Sequence, residues 1–82
     1  MINPETVEVD REVKAAYVRY AKSVVAETID VWEEGTVAAD VDAAGNVLGI
    51  EVLGFDDETL SHARVFAQEH DLAFPPRIEA PA

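Results

Sequence analysis

The sequence predicts an α+β fold: an antiparallel β-meander of about five strands followed by one C-terminal helix packed on one face. Three observations predict it. Residues 6–54 hold short β-branched runs with a period of two, parted by polar or Gly-containing turns. From Asp56 the apolar period changes to that of a helix. Pro75-Pro76 then forbids further helix. The 82 residues are expected to form a single domain, 1–82.

Thr6-Val7-Glu8-Val9-Asp10 alternates apolar and polar residues, as a half-buried strand does. Arg11-Glu12 make a polar turn, and Ala15 to Ala21 reads as the second strand of a hairpin. There Ala16, Val18 and Tyr20 share one face, with Tyr17 and Arg19 on the other. Val24 to Trp32 is β-branched and aromatic, so strand is favoured over helix, although Glu27 intrudes on the parity of Val25, Ile29 and Val31. Glu33-Glu34-Gly35 is a turn signal. Thr36 to Asp42 sets Val37, Ala39 and Val41 against Ala38, Asp40 and Asp42. Ala43-Ala44-Gly45-Asn46 closes a hairpin, because Gly and Asn tolerate positive φ. Val47 to Leu53 comes next, with Leu48, Ile50 and Val52 as its apolar face. Asp56 is a suitable N-cap for a helix over 57–69, and Asp57 and Glu58 suit its first turn. Leu60, Ala63, Phe66, Ala67 and His70 fall at helical spacing. Residues 71–82 read as an extended tail. The helix has one face of the sheet to cover; Tyr17, Arg19, Asp40, Asp42 and Glu51 are expected on the other.

Composition bounds the function. A chain this short buries only about 60% of its unfolded surface, so packing or self-association must supply the remaining stability. The absence of Cys excludes disulfides and thiolate metal sites. The formal charge of −11, from 17 acidic and 6 basic residues, argues against nucleic acid and against an anionic membrane surface. It is compatible with simple solubility, with a basic protein partner or with a cation site. No apolar run is long enough to span a bilayer, and the N-terminus lacks the basic start and apolar stretch of a signal peptide. A cytoplasmic location is the expectation.

Two stretches also carry a resemblance. Val9-Asp10-Arg11-Glu12 through Ala15-Ala16-Tyr17-Val18 has an Asp, a Glu two residues on, and then a strand with Ala and Tyr. Ala39-Asp40-Val41-Asp42 is followed by Gly45-Asn46-Val47-Leu48-Gly49-Ile50-Glu51-Val52-Leu53. Together they span roughly Glu5 to Gly54, and they resemble the small bacterial and archaeal proteins of the domain of unknown function 2283 family. The Gly-Ile-Glu strand after an Asp-x-Asp strand is the more specific part. Lys14 departs from the Asp usual in that family, and the region from Phe55 on lies outside the signature. The resemblance implies a small β-rich fold and no established activity. Some family genes sit beside small toxin-like genes, which implies an antitoxin-like role.

Three groups of residues are candidates for a site. Asp40 and Asp42 point the same way from one strand, and Glu51 lies on its hairpin partner. Such carboxylates hold Mg²⁺ or Ca²⁺, or act as an acid–base pair, when they converge. The alternative is a solvated face with Asp42 capping the turn. Tyr17, Arg19 and Trp32 have the composition of an interface hot spot; the alternative is that Trp32 and one Tyr are simply core. Ala73-Phe74-Pro75-Pro76-Arg77-Ile78-Glu79 suits an extended docking peptide, a segment packed back on its own domain, or a disordered end. His62 and His70 are too far apart on a helix to share a metal, and His70 suits the last carbonyls of the helix. No cofactor and no catalytic residue is expected. The expectation is a non-enzymatic protein acting by protein–protein contact, most simply as a homodimer. The alternatives are an acidic antitoxin-like inhibitor of a basic partner, and a divalent-cation binder using Asp40, Asp42 and Glu51.

Overall fold

The computed structural model describes residues 1–78. Its elements are β1 (Thr6–Asp10), β2 (Ala15–Arg19), β3 (Glu27–Trp32), β4 (Val37–Val41), β5 (Val47–Leu53) and α1 (Asp57–Glu69). The strands form one antiparallel sheet in the order β1-β2-β5-β4-β3. Sequence neighbours pair as a meander does at β1–β2, β3–β4 and β4–β5. The order departs from a simple meander at one point: β2 pairs with β5, and β3 lies at the far edge.

The apolar stripes account for this. β2 and β5 have the most consistent alternation, and they meet at Ala16↔Val52 and Val18↔Ile50. Val18, Ile50 and Val52 are all fully buried there. The exposed Glu27 and Thr28 suit β3 to an edge rather than a centre. Residues 20–26 carry the chain across. Fully extended they reach about 23 Å, and the three strand spacings to be crossed need about 14 Å. The crossing shortens the expected strands: β2 ends at Arg19, not Ala21, and β3 begins at Glu27, not Val24. Val24, left on the crossing, is 85% exposed.

Helix α1 covers one face of the sheet with Leu60, Ala63 and Ala67, which pack against Val18, Val37, Ile50 and Val52. It starts where Asp56 accepts from the Thr59 amide (3.1 Å) and the Thr59 hydroxyl (2.9 Å). It ends where the His70 amide donates to Ala67 O, and Asp71 turns the chain at φ +56°. Leu72 then drops into the core and bridges in parallel to Ile2. The expected tail is seated on the core as far as Ile78, which is 3% exposed. The Tyr20 hydroxyl donates to Ala73 O, and Arg64 donates to Pro75 O and Pro76 O. The segment from Glu79 on lies outside the described residues.

Candidate functional site

The face of the sheet opposite α1 carries two full cross-strand rows. One runs Glu8–Tyr17–Glu51–Ala38–Asp30, and the other Thr6–Arg19–Gly49–Asp40–Thr28. Pairing register alone brings these residues together, because a period of two sends every second side chain to this side.

Tyr17 organises the face. Its ring lies over Gly49 of β5, and a Cβ on Gly49 would collide with the ring and its hydroxyl. The Tyr17 hydroxyl reaches across β5 to donate to Asp40 Oδ2 on β4 (2.8 Å). Thr28 on β3 donates to the other oxygen, Asp40 Oδ1 (2.6 Å). One polar chain therefore joins β2, β4 and β3 over the back of β5. The Arg19 guanidinium sits 5.3 Å from the centre of the Tyr17 ring, a cation–π distance. Burial pushes the Tyr17 phenol up to about 12, and the hydrogen bond to Asp40 with that carboxylate's charge adds to the shift.

The expected carboxylate trio is distributed rather than convergent. Asp40 is engaged by Tyr17 and Thr28. Glu51 lies in the other row, facing Tyr17 and Ala38. A register shift after Asp40 takes Asp42 off the sheet and into the turn. There it accepts from the amides of Ala44 (3.0 Å) and Asn46 (2.8 Å) and from Asn46 Nδ2 (3.1 Å). These bonds, those of Asn46 first, hold the Asp42 carboxyl below its ordinary value. Among the described residues no three His, Cys, Asp or Glu side chains are grouped to hold a metal ion.

The hot-spot trio is divided between the two sides. Tyr17 and Arg19 share the open face, whereas Trp32 is stacked on His62 of α1, with centroids 4.1 Å apart and planes at 13°. His70 places Nδ1 3.0 Å from Phe66 O at the helix end. The tail candidates Phe74, Pro75 and Pro76 are engaged by Arg64, whose guanidinium also sits 5.7 Å from the Phe74 ring centre.

Sequence reasoning missed Gly49 and Thr28. A glycine inside a strand marks a close approach, and here that signal was present. Thr28 carried none, since its role depends on which strand lies beside β4.

Beside Tyr17, on the Ala15 side and away from Arg19, the face dips into a cavity of about 230 Å³. This shallow, open depression is lined by Glu8, Val9, Asp10, Ala15, Ala16, Tyr17 and Glu51.

These features define a class: a small α+β protein with one sheet face closed by a helix and the other left open, acidic and pinned by a tyrosine. A family model described as "Protein of unknown function (DUF2283)" matches residues 6–55, from the start of β1 to just past β5. The chain belongs to this family. No curated protein and no solved structure matches it. Among the described residues no helix is long and apolar enough to cross a membrane.

Proposed function

We propose that the chain is a non-enzymatic protein that works by contact, and that its open sheet face receives a protein with a basic surface. The observation that carries this reading is the pinned Tyr17, held across Gly49 by Asp40 and set beside Arg19 on an uncovered face. An aromatic ring already fixed in place makes contact at little further entropic cost, as hot-spot tyrosines do. The rows around it hold Glu8, Asp30, Asp40 and Glu51 against the one cation Arg19, and with a formal charge of −11 on the whole chain they would steer a cationic surface toward this side. Covering a basic partner's working surface in this way would make the protein its inhibitor. The Tyr17 phenol, raised to about 12, is unsuited to proton transfer near neutral pH and serves here as a contact group.

The test is capture from the native host with an immobilised chain, followed by face variants. A basic partner should be retained at low salt and released at high salt. Asp30→Lys and Tyr17→Ala should sharply reduce its retention, while Val65→Asp on the helix should not. Retention indifferent to both open-face changes would refute the assignment of the face.

One observation favours homodimer formation as a second reading. Ile29 and Val31 on edge strand β3 and Val65 and Phe66 on α1 line a common groove, and Val65 is 51% exposed. Antiparallel self-pairing centred on Ile29 would set Thr28 against Asp30 and Glu27 against Val31, with no like charges opposed. Light scattering of wild type against Val65→Asp decides it: a dimer mass reduced to a monomer near 8.9 kDa is expected, and a monomer for both overturns it.

A further inference from the structure

We propose that the cavity beside Tyr17 is the slot for one arginine side chain of the basic partner. The inference rests on the reading of the open face as a contact surface and adds the chemical group that enters it. Glu8 and Glu51 face Tyr17 from the two neighbouring strands, so they stand about 10 Å apart with Tyr17 between them. The ring does not fill that gap, because Gly49 lets it lean diagonally toward Asp40. The space so opened is lined both by apolar groups, Ala15 and the Tyr17 ring among them, and by the acidic residues Glu8, Asp10 and Glu51.

This combination selects among ligands. Such separated carboxylates do not enclose a metal ion, in keeping with the absence of any grouped metal ligands among the described residues. A neutral apolar group would desolvate Glu8 and Glu51 without compensation. A guanidinium satisfies both parts: its plane stacks on an aromatic ring and its edge donates to carboxylates. The face already contains that arrangement once, since the Arg19 guanidinium sits 5.3 Å from the centre of the same ring. An arginine from the partner would occupy the Ala15 side. Asp10 contributes charge to the lining while its Oδ1 accepts from the Glu12 and Val13 amides, which holds its carboxylate in place.

The probe is a capped peptide with one arginine between glycines, titrated into the ¹⁵N-labelled chain, and its citrulline counterpart is the neutral control. Saturable shifts of the Ala15, Ala16, Tyr17 and Glu51 amides are expected with arginine and not with citrulline. Glu8→Gln with Glu51→Gln should weaken the response by about tenfold, the loss of two exposed charge pairs worth a few-fold each. Lys22→Gln, off the face, reports on general handling and should leave the response unchanged. Equal shifts with citrulline, or shifts spread evenly over the slot and the acidic helix start at Asp57 and Glu58, would overturn the proposal. So would an undiminished response in the double glutamine variant. The broader contact reading fails on a different result, the indifference of a captured partner to both Asp30→Lys and Tyr17→Ala, so the two failures are distinguishable.

Discussion

Tyr17 and Gly49 behave as one unit. Tyr17→Phe keeps the ring over Gly49 and removes only the bond to Asp40, which should cost about 1 kcal/mol in chemical denaturation. Gly49→Ala should cost more, because the new methyl group must expel the ring and break the same bond. In the Tyr17→Ala background Gly49→Ala should become nearly harmless, with a coupling energy of about 0.5–3 kcal/mol. Additive effects would show that the ring has room to move. The same residue takes part in the alkaline titration. The folded-state phenols of Tyr17 and Tyr20 are both raised to about 12 from an ordinary value of 10.0, burial being the leading cause in each. The folded state thus holds its protons more tightly, so its stability is intact below pH 10 and should fall as pH rises from 10 toward about 12. Tyr17→Phe should flatten part of that alkaline loss. The carboxyls of Asp42 and Asp56 shift the other way, lowered chiefly by Asn46 and by Thr59. Their contribution is present above the ordinary carboxyl value of 3.8 and should be lost as pH falls below it. The alternation of β2, β4 and β5 was enough to place Tyr17, Arg19, Asp40 and Glu51 on one face. It could not place Asp42, because β4 ends at Val41 and the Asp42 carboxylate folds into the turn to accept from the amides of Ala44 and Asn46. Nor could it show that Tyr17 bonds Asp40, since that contact spans strands whose adjacency is a matter of sheet order.

At the scale of elements, α1 was the most legible, from its cap at Asp56 to its end at Glu69. Its signals are local: an Asp that bonds the third residue on, acidic residues in the first turn, and a period that needs no partner to be seen. Asp56→Ala should therefore lower the melting temperature, and Asp56→Asn should restore much of the loss, since the amide oxygen can still accept from Thr59. The tail was the least legible. Prolines announce an end to the helix but do not say whether the chain beyond them is free, and Ile78 offers no periodic neighbour to mark it as core. Its seat against the domain predicts that Ile78→Ala costs about 2–5 kcal/mol, as for other buried aliphatics. A change within a few tenths would place Ile78 in solvent. The N-terminus was equally silent, yet Ile2 shares backbone bonds with Asp71 and Ala73.

For the whole molecule, charge and packing oppose each other. The formal charge is −11, and an ion pair between described residues, the N-terminal amine with Asp71 at 3.8 Å, is largely exposed. Exposed pairs of that kind contribute little, whereas the repulsion among carboxylates is general. Added salt should accordingly raise the melting temperature, most steeply between low and physiological ionic strength, where the screening length drops to about 8 Å. A melting point that falls with salt would mean that attractive pairs outweigh repulsion. The same screening should weaken a basic partner's binding, so stability and affinity are expected to move in opposite directions along one salt titration.

The pairing of β2 with β5 also bears on how quickly the chain reaches this structure. The hairpin β1–β2 and the three-strand unit β3–β4–β5 are each made of local contacts, which form within microseconds. The sheet is complete only when Val18 finds Ile50, and the intervening chain must first be closed into a loop. Contacts of that separation set the pace of two-state folding. Ile50→Ala should thus slow folding in a chevron experiment, whereas Asp56→Ala should chiefly hasten unfolding. Seen in time rather than in space, the centre of the sheet is the last seam to close, and Tyr17 bonding Asp40 across it is the stitch that holds it shut.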